Sequence, residues 1–165
     1  MKLEYNVYSS KELGDLYIVS DGEAIVKIEL FADDWEELSS NYEMVKSDSE
    51  LLQTALEQMD EYFRGKRKRF QLPLKWKGTP FQEKVWQALC EIPYGETVSY
   101  SEIAEKIGNP KAVRAVGQAN RSNELAIVVP CHRVIGKNRS LTGYAGSRTD
   151  IKEKLLNLEQ SYARE

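Results

Sequence analysis

An apolar run at residues 125–129 (LAIVV) most constrains how this chain can fold, because a continuous run of this kind favours a buried strand. Pro130 follows at once and has no backbone N–H to donate, so we expect the strand to end there. Next come Cys131, one of two cysteines, and His132, the only histidine. The pattern predicts a thiol at the end of a buried strand with an imidazole beside it. Such a thiol is either an inert core residue or a nucleophile, and these residues alone leave both interpretations open.

Composition narrows the class of protein. No apolar stretch approaches the roughly 20 residues that a membrane-spanning helix needs, and the N-terminus lacks the apolar core of a signal peptide. Two cysteines without a repeated spacing predict neither a disulfide framework nor a zinc site. We therefore expect a cytoplasmic protein in a reducing setting, with no metal and no membrane.

The charge is divided unevenly along the chain. Residues 1–60 contain 4 Lys or Arg and 15 Asp or Glu, whereas residues 61–165 contain 19 and 11. A basic C-terminal part is typical of proteins that bind polyanions. A solvated surface of mixed charge accounts for the same numbers equally well.

Residues 1–75 predict a small α/β module. Residues 16–19 and 24–30 are interpreted as strands joined by a hairpin at Asp21-Gly22, and residues 7–9 as a further strand. Residues 33–47 are interpreted as an acidic loop with a helical turn. Residues 48–64 have helical periodicity, with Ser47 or Asp48 as the cap. The basic run that follows, RGKRKR at 64–69, is interpreted as a solvated turn rather than a phosphate contact.

Residues 76–165 predict a helical domain that contains a helix-turn-helix. The first helix starts at a capping box formed by Thr79 and Gln82, and its apolar stripe extends to Cys90, which we interpret as a buried structural residue. Ser99 and Glu102 form a second capping box. Helices at 100–107 and 111–120 flank a tight turn, with Val113, Val116 and Gly117 of the second expected to face inward. A last helix covers 151–159. Paired helices of this kind meet nucleic acid in some proteins and bind none in others.

Residues 130–134 (PCHRV) resemble the active-site signature of the O6-alkylguanine-DNA alkyltransferases, also called methylated-DNA–protein-cysteine methyltransferases. Further segments are similar to this family in the same order: GTPFQ at 78–82, IPYGE at 92–96, VSY at 98–100, GNPKAVRAVG at 108–117 and YAG at 144–146. The resemblance covers residues 78–159, and the N-terminal module is similar only in length and coarse pattern. It implies an α/β (α+β) fold with an N-terminal α/β domain at 1–75 and a C-terminal winged helix-turn-helix domain at 76–165.

The activity that the resemblance implies is DNA repair by a single irreversible transfer. The alkyl group of O6-alkylguanine passes to Cys131, His132 acts on the thiol through a bound water, and Glu159 holds the imidazole. Tyr100 is similar to the tyrosine whose hydroxyl donates to N3 of the flipped guanine. A water link also agrees with geometry, since adjacent side chains on an extended segment point to opposite faces.

The resemblance also implies residues for DNA contact and for the substrate pocket. Arg114 is similar to the arginine that enters the base stack, and Asn123 to the asparagine that ties the helix-turn-helix to the active-site segment. The other implied DNA-binding residues are Lys111, Ala112, Ala115 and Gly117, and the implied pocket residues are Val134, Tyr144, Ala145 and Gly146. The implied partner is double-stranded DNA containing O6-alkylguanine, bound by a monomer without a cofactor.

Three other function classes remain open from the residues alone. A Cys–His–Glu hydrolase would use the same residue types with direct contact between thiol and imidazole. A non-catalytic relative would bind alkylated DNA and recruit other factors, although such relatives lack the active cysteine. A winged-helix regulator would bind one operator sequence. The range of alkyl groups and activity toward O4-alkylthymine are not set by the sequence.

Overall fold

The computed structural model describes residues 2–136 and 149–163, and the chain folds as two compact units. The N-terminal unit comprises the residues up to 76 together with 124–126, and the C-terminal unit comprises 77–123 and the residues from 127 onward. The predicted boundary near residue 75 treats the second domain as continuous, whereas residues 124–126 pack with the first unit. Among the helices in the described ranges, none combines the length and the apolar character needed to cross a membrane.

A four-stranded sheet forms the centre of the N-terminal unit. Its strands are β1 (Lys2–Ser10), β2 (Gly14–Ser20), β3 (Ile25–Glu29) and β4 (Glu43–Lys46), in the order β3-β2-β1-β4. β2 pairs antiparallel with both β1 and β3, and β4 pairs parallel with β1. The hairpin prediction is confirmed: Asp21 Oδ1 accepts from the backbone N–H groups of Glu23 and Ala24, and Gly22 has φ 98°.

Two helices complete this unit, and the first was missed from the sequence. Residues 33–47 contain helix α1 (Ala32–Asn41) and strand β4 rather than a loop. None of the residues of α1 is buried, and its contact with the sheet includes Trp35 stacked on Tyr17 at 4.4 Å, so no apolar period marks it. Helix α2 (Glu50–Phe63) is capped by Ser49, whose side chain accepts from Leu52 N, and not by the residues proposed above.

The C-terminal unit is mainly helical. Its elements are α3 (Pro80–Cys90), β5 (Val98–Ser99), α4 (Tyr100–Lys106), α5 (Val113–Arg121), β6 (Val134–Ile135) and α6 (Thr149–Ala163). Both predicted capping boxes are present, Thr79 with Gln82 at α3 and Ser99 with Glu102 at α4. Helices α4 and α5 form the predicted helix-turn-helix.

The predicted strand at residues 125–129 is wrong. Leu125 makes an isolated bridge to Ile28, residues 127 and 128 lie in a turn, and Ile127 has φ 75°. The run is nevertheless almost entirely buried. A continuous apolar run reports burial and not backbone conformation, and here burial is achieved by an irregular segment. A single 3₁₀ turn, Cys131–Arg133, follows it.

The side chain of Trp86 joins α3 to α5. Its indole N–H donates to Ala119 O at 2.8 Å, and the ring is 4% exposed. Gly78 lies directly against this ring: a Cβ on Gly78 would stand 2.6 Å from Trp86 Cη2. The glycine therefore allows the chain to enter α3 across the face of the indole.

We expect Gly78→Ala to lower the free energy of unfolding by about 1 to 3 kcal/mol, because the ring must move or the chain must shift. Gly117→Ala is a matched control, since its new Cβ would meet only Tyr100 Cδ1 at 4.0 Å. Within α5 that change should be neutral or stabilising by up to about 1 kcal/mol. Urea denaturation measures both, and equal effects of the two changes would contradict the steric argument.

Candidate active site

The thiol of Cys131 is buried in a tight turn. The residue is 1% exposed and begins the 3₁₀ turn, and its N–H donates to Val129 O at 2.8 Å. Pro130, with φ −82° and ψ 65°, makes this an inverse γ-turn. The expectation of a thiol at the end of a strand is therefore corrected. The argument from alternating side chains does not apply to His132, because the backbone here is not extended.

His132 and Glu159 form a buried pair. Both side chains have no exposed surface, and His132 Nε2 lies 2.5 Å from Glu159 Oε2. Burial lowers the pKa of His132 although the carboxylate opposes it. Burial would raise the pKa of Glu159, but hydrogen bonds from His132 and Arg133 outweigh it and lower that pKa. An ionised carboxylate only accepts, so Nε2 carries the proton and Nδ1 is the free acceptor of a neutral ring.

The second ring nitrogen of His132, Nδ1, is the acceptor in this tautomer. Within residues 2–136 and 149–163, no atom hydrogen-bonds to it, and it is buried. A buried polar atom normally has a partner. The geometry thus leaves a proton acceptor in the interior of the C-terminal unit, on the residue next to the Cys131 thiol.

Arg133 also binds the Glu159 carboxylate, a contact that was not predicted from the sequence. Its Nε donates to Glu159 Oε1 at 2.8 Å and its Nη2 to Oε2 at 3.0 Å, while Nη1 donates to Ile92 O at 2.7 Å. Gly95 N–H also donates to Oε1, at 3.2 Å. A Cβ on Gly95 would lie 2.7 Å from Ala163 Cβ, so only glycine brings this N–H so close to α6.

Lys152 was also missed, and it interacts electrostatically with Cys131. It is fully buried, and its Nζ donates to the Tyr100 hydroxyl at 3.5 Å. Burial lowers the pKa of Lys152 to about 8, and the nearby Cys131 acts in the opposite direction. Burial, together with the charge of Cys131, raises the pKa of Tyr100 to about 12. The spacing could have revealed Lys152, because it precedes Glu159 by two helical turns and so shares its face of α6.

Two asparagines tie α5 and its C-terminal end to the active-site segment. Asn123 Nδ2 donates to Val129 O at 2.9 Å, which is the kind of link that the resemblance implies. Asn120 Nδ2 donates to Cys131 O at 3.3 Å. Asn120 was not among the candidate residues. It is 1% exposed and lies on the same helix as the implied DNA contacts.

The implied DNA-binding residues lie on α5 and on the two residues that precede it. Lys111 and Arg114 are exposed, whereas Ala112, Ala115 and Gly117 are partly buried. Val113, expected to face inward, is 38% exposed, and that expectation is wrong. Val116, also expected to face inward, is fully buried, as predicted.

The implied pocket is only partly described. Val134 is fully buried and pairs with Val98 in the short parallel sheet β5-β6. Tyr144, Ala145 and Gly146 lie outside the described residues.

Cys90, expected in the core, is exposed at the last residue of α3, because the apolar stripe of the helix ends one residue earlier at Leu89. The described part of the chain holds no group of three or more His, Cys, Asp or Glu suited to a metal ion.

Comparison with known proteins identifies two family domains. Residues 3–76 match the ribonuclease-like domain of 6-O-methylguanine DNA methyltransferase, and residues 80–161 match its DNA-binding domain. The constitutive methylated-DNA–protein-cysteine methyltransferase of Bacillus subtilis is 53% identical over 158 residues, which is 94% of this chain and 96% of the relative. The enzyme of that name from Haemophilus influenzae is 44% identical over 94% of this chain and 86% of its own.

Solved structures agree with these matches. The O6-methylguanine methyltransferase of Mycobacterium tuberculosis has a TM-score of 0.87 at 40% identity, covering 97% of this chain and 94% of its own. The OGT structure from that organism in complex with DNA has a TM-score of 0.83 at 39% identity, covering 98% and 94%. The resemblance in the PCHRV segment is confirmed over nearly the whole chain, which therefore belongs to the 6-O-methylguanine DNA methyltransferase family, a family of methylated-DNA–protein-cysteine methyltransferases.

Proposed function

We propose that this protein repairs DNA by moving the alkyl group from O6 of an alkylated guanine to the sulfur of Cys131. The observation that carries the proposal is the buried thiol beside an imidazole whose Nε2 is held by Glu159 and whose Nδ1 is available as an acceptor. The family relatives named above support the same chemistry. No organic cofactor or metal takes part in the proposed step.

Activation of the thiol depends on removing its proton. His132 Nδ1 accepts the proton, directly or through a water, and Glu159 stabilises the imidazolium that forms. The ammonium of Lys152 stabilises the thiolate electrostatically. Burial of Cys131 keeps competing water away from the nucleophile.

The transfer itself is an in-line displacement at the alkyl carbon. A lone pair of the Cys131 thiolate forms the new C–S bond as the C–O6 bond breaks. The electrons of the C–O6 bond pass to the guanine ring. The Tyr100 hydroxyl donates its proton at N3, so guanine leaves uncharged, and Lys152 stabilises the tyrosinate. The product is a thioether with no good leaving group, so each chain acts once.

Access to the alkyl carbon requires the nucleotide to leave the duplex. Unstacking and unpairing cost a few kcal/mol, less for a damaged base. Helices α4 and α5 would meet the DNA, with the small residues Ala112, Ala115 and Gly117 letting the helix approach the backbone closely. Arg114, exposed on α5, would fill the space left in the base stack. Contacts to the backbone suit a lesion that occurs in any sequence.

Cys131→Ser should abolish transfer, since a neutral hydroxyl does not replace a thiolate, while binding to DNA is retained. Mass spectrometry after exposure to O6-methylguanine DNA should find one methyl per wild-type chain, on Cys131. The matched control is Cys90→Ser, which changes the exposed cysteine and should transfer normally. Methyl on Cys90 or His132, or many turnovers per chain, would refute the proposal.

Tyr100→Phe should slow the single-turnover rate by about 10² to 10⁴, because it removes the proposed acid. Affinity for the alkylated duplex should change much less, since the aromatic ring remains. Rapid-quench kinetics and a binding titration separate the two quantities. Equal losses in rate and affinity would count against the donor role.

Lys152→Met should stabilise the fold while slowing transfer. Because the pKa of Lys152 falls from 10.5 to about 8 on folding, the unfolded chain binds more protons between these values. The free energy of unfolding of the wild type therefore rises as pH increases from about 8 to 10.5. At lower pH the buried ammonium lowers it. Near neutral pH the variant should be more stable by about 1 to 3 kcal/mol.

Urea unfolding at several pH values measures this effect, and the rise in stability above pH 8 should be smaller in the variant. The control is Lys154→Met, at an exposed position of the same helix. It should change neither the free energy of unfolding nor the transfer rate by much. A destabilised Lys152→Met protein with an unchanged transfer rate would show that the ammonium serves packing and not the thiolate.

A further inference from the structure

We propose that Arg133 is a positioning residue for this reaction: by holding both oxygens of Glu159 it keeps the carboxylate a pure acceptor and His132 neutral, with Nδ1 unprotonated. The inference deepens the proposed function and rests on it for its effect on transfer. Its structural part concerns the location of one proton and can be tested without DNA.

The guanidinium is fixed from three sides. Nε and Nη2 donate to the two oxygens of Glu159 as a fork, and Nη1 donates to Ile92 O at 2.7 Å. The guanidinium carbon also lies 5.6 Å from the centre of the Tyr94 ring. Arg133 is 5% exposed, so water competes little for these contacts. A planar fork of this kind sets the orientation of the carboxylate as well as its charge.

Among residues 2–136 and 149–163, four donor groups are seen to bind the Glu159 carboxylate. Oε1 accepts from Arg133 Nε and Gly95 N–H, and Oε2 accepts from Arg133 Nη2 and His132 Nε2. A carboxylate offers about four lone-pair positions, so no position is left for a proton. Glu159 cannot take the Nε2 proton of His132 without losing another hydrogen bond. The basic site of the pair is therefore Nδ1.

The charge of Arg133 also sets how readily the ring accepts a proton. The groups that face His132 are Glu159 and Lys152 from α6 and Arg133 from its own turn, with the adjacent Cys131 thiol. Burial, Arg133 and Lys152 all lower the pKa of His132, and only Glu159 raises it. Without Arg133 only burial and Lys152 would oppose the carboxylate, so the balance would shift toward the imidazolium. A ring already protonated at rest cannot accept the thiol proton.

A merely structural role for Arg133 is the competing explanation. Removing one partner of a buried ion pair strongly destabilises a protein whatever its function. Loss of stability alone therefore does not distinguish the two roles. The protonation state of the His132 ring does, because a structural salt bridge has no need to set it.

The single histidine makes the measurement direct. With ¹⁵N-histidine in the full-length chain, the imidazole spectrum reports His132 alone. We expect the wild-type ring to be the neutral Nε2–H form near neutral pH. Arg133→Met should increase the proton affinity of His132 about tenfold or more, and the acid limb of the single-turnover rate should move to higher pH with it. Arg133→Lys, which keeps the charge but not the fork, should fall between the two.

The control is Arg64→Met, which removes an exposed arginine paired with Asp60 and should leave the His132 titration unchanged. A folded Arg133→Met chain with unaltered His132 titration would overturn the inference. If that variant does not fold, the Arg133→Lys variant and the wild-type spectrum still test the inference. A wild-type His132 ring that carries its proton on Nδ1 overturns it. Wild type that transfers no alkyl group would refute the proposed function, and leave the spectrum as a separate result.

Discussion

The buried carboxylate of Glu159 is the group on which the rest of the site depends. An ionised carboxylate in a protein interior is tolerated only when its lone pairs are filled. Here the donors come from two segments that pack against α6, the helix that contains Glu159. The 3₁₀ turn supplies His132 and Arg133, and the loop after α3 supplies the N–H of Gly95. One charge therefore fixes the turn that holds Cys131, the position of the loop after α3 and the orientation of the imidazole.

The same interior contains groups that weaken the fold. Lys152 is fully buried with a lowered pKa, and His132 Nδ1 has no hydrogen-bond partner among the described residues. A core evolved only for stability would replace both with apolar side chains. Their presence beside a buried thiol is the pattern expected where strained or destabilised groups serve chemistry. Ile127, a β-branched residue at φ 75° four positions before Cys131, adds backbone strain to the same segment.

Local signals in the sequence predicted elements well where one short stretch contains all the partners. The capping boxes at Thr79 and Ser99 and the hairpin at Asp21-Gly22 each involve residues within three or four positions, and all are present. Prediction was wrong where burial is created by distant segments. The apolar run 125–129 is buried in a segment without regular secondary structure. Helix α1 was missed for another reason: none of its residues is buried, so its sequence has no apolar periodicity.

The family, the two capped helices of the C-terminal unit and the adjacency of Cys131 to His132 could be predicted from the sequence, because each depends on contiguous residues. The inclusion of Arg133, Lys152, Gly95 and Asn120 in the site could be seen only in the folded structure. Gly95 and Glu159 are 64 positions apart, and Lys152 and Tyr100 are 52 apart. Contacts over such separations depend on how helices pack, and a buried charge selects its donors from whatever the packing brings within hydrogen-bond distance.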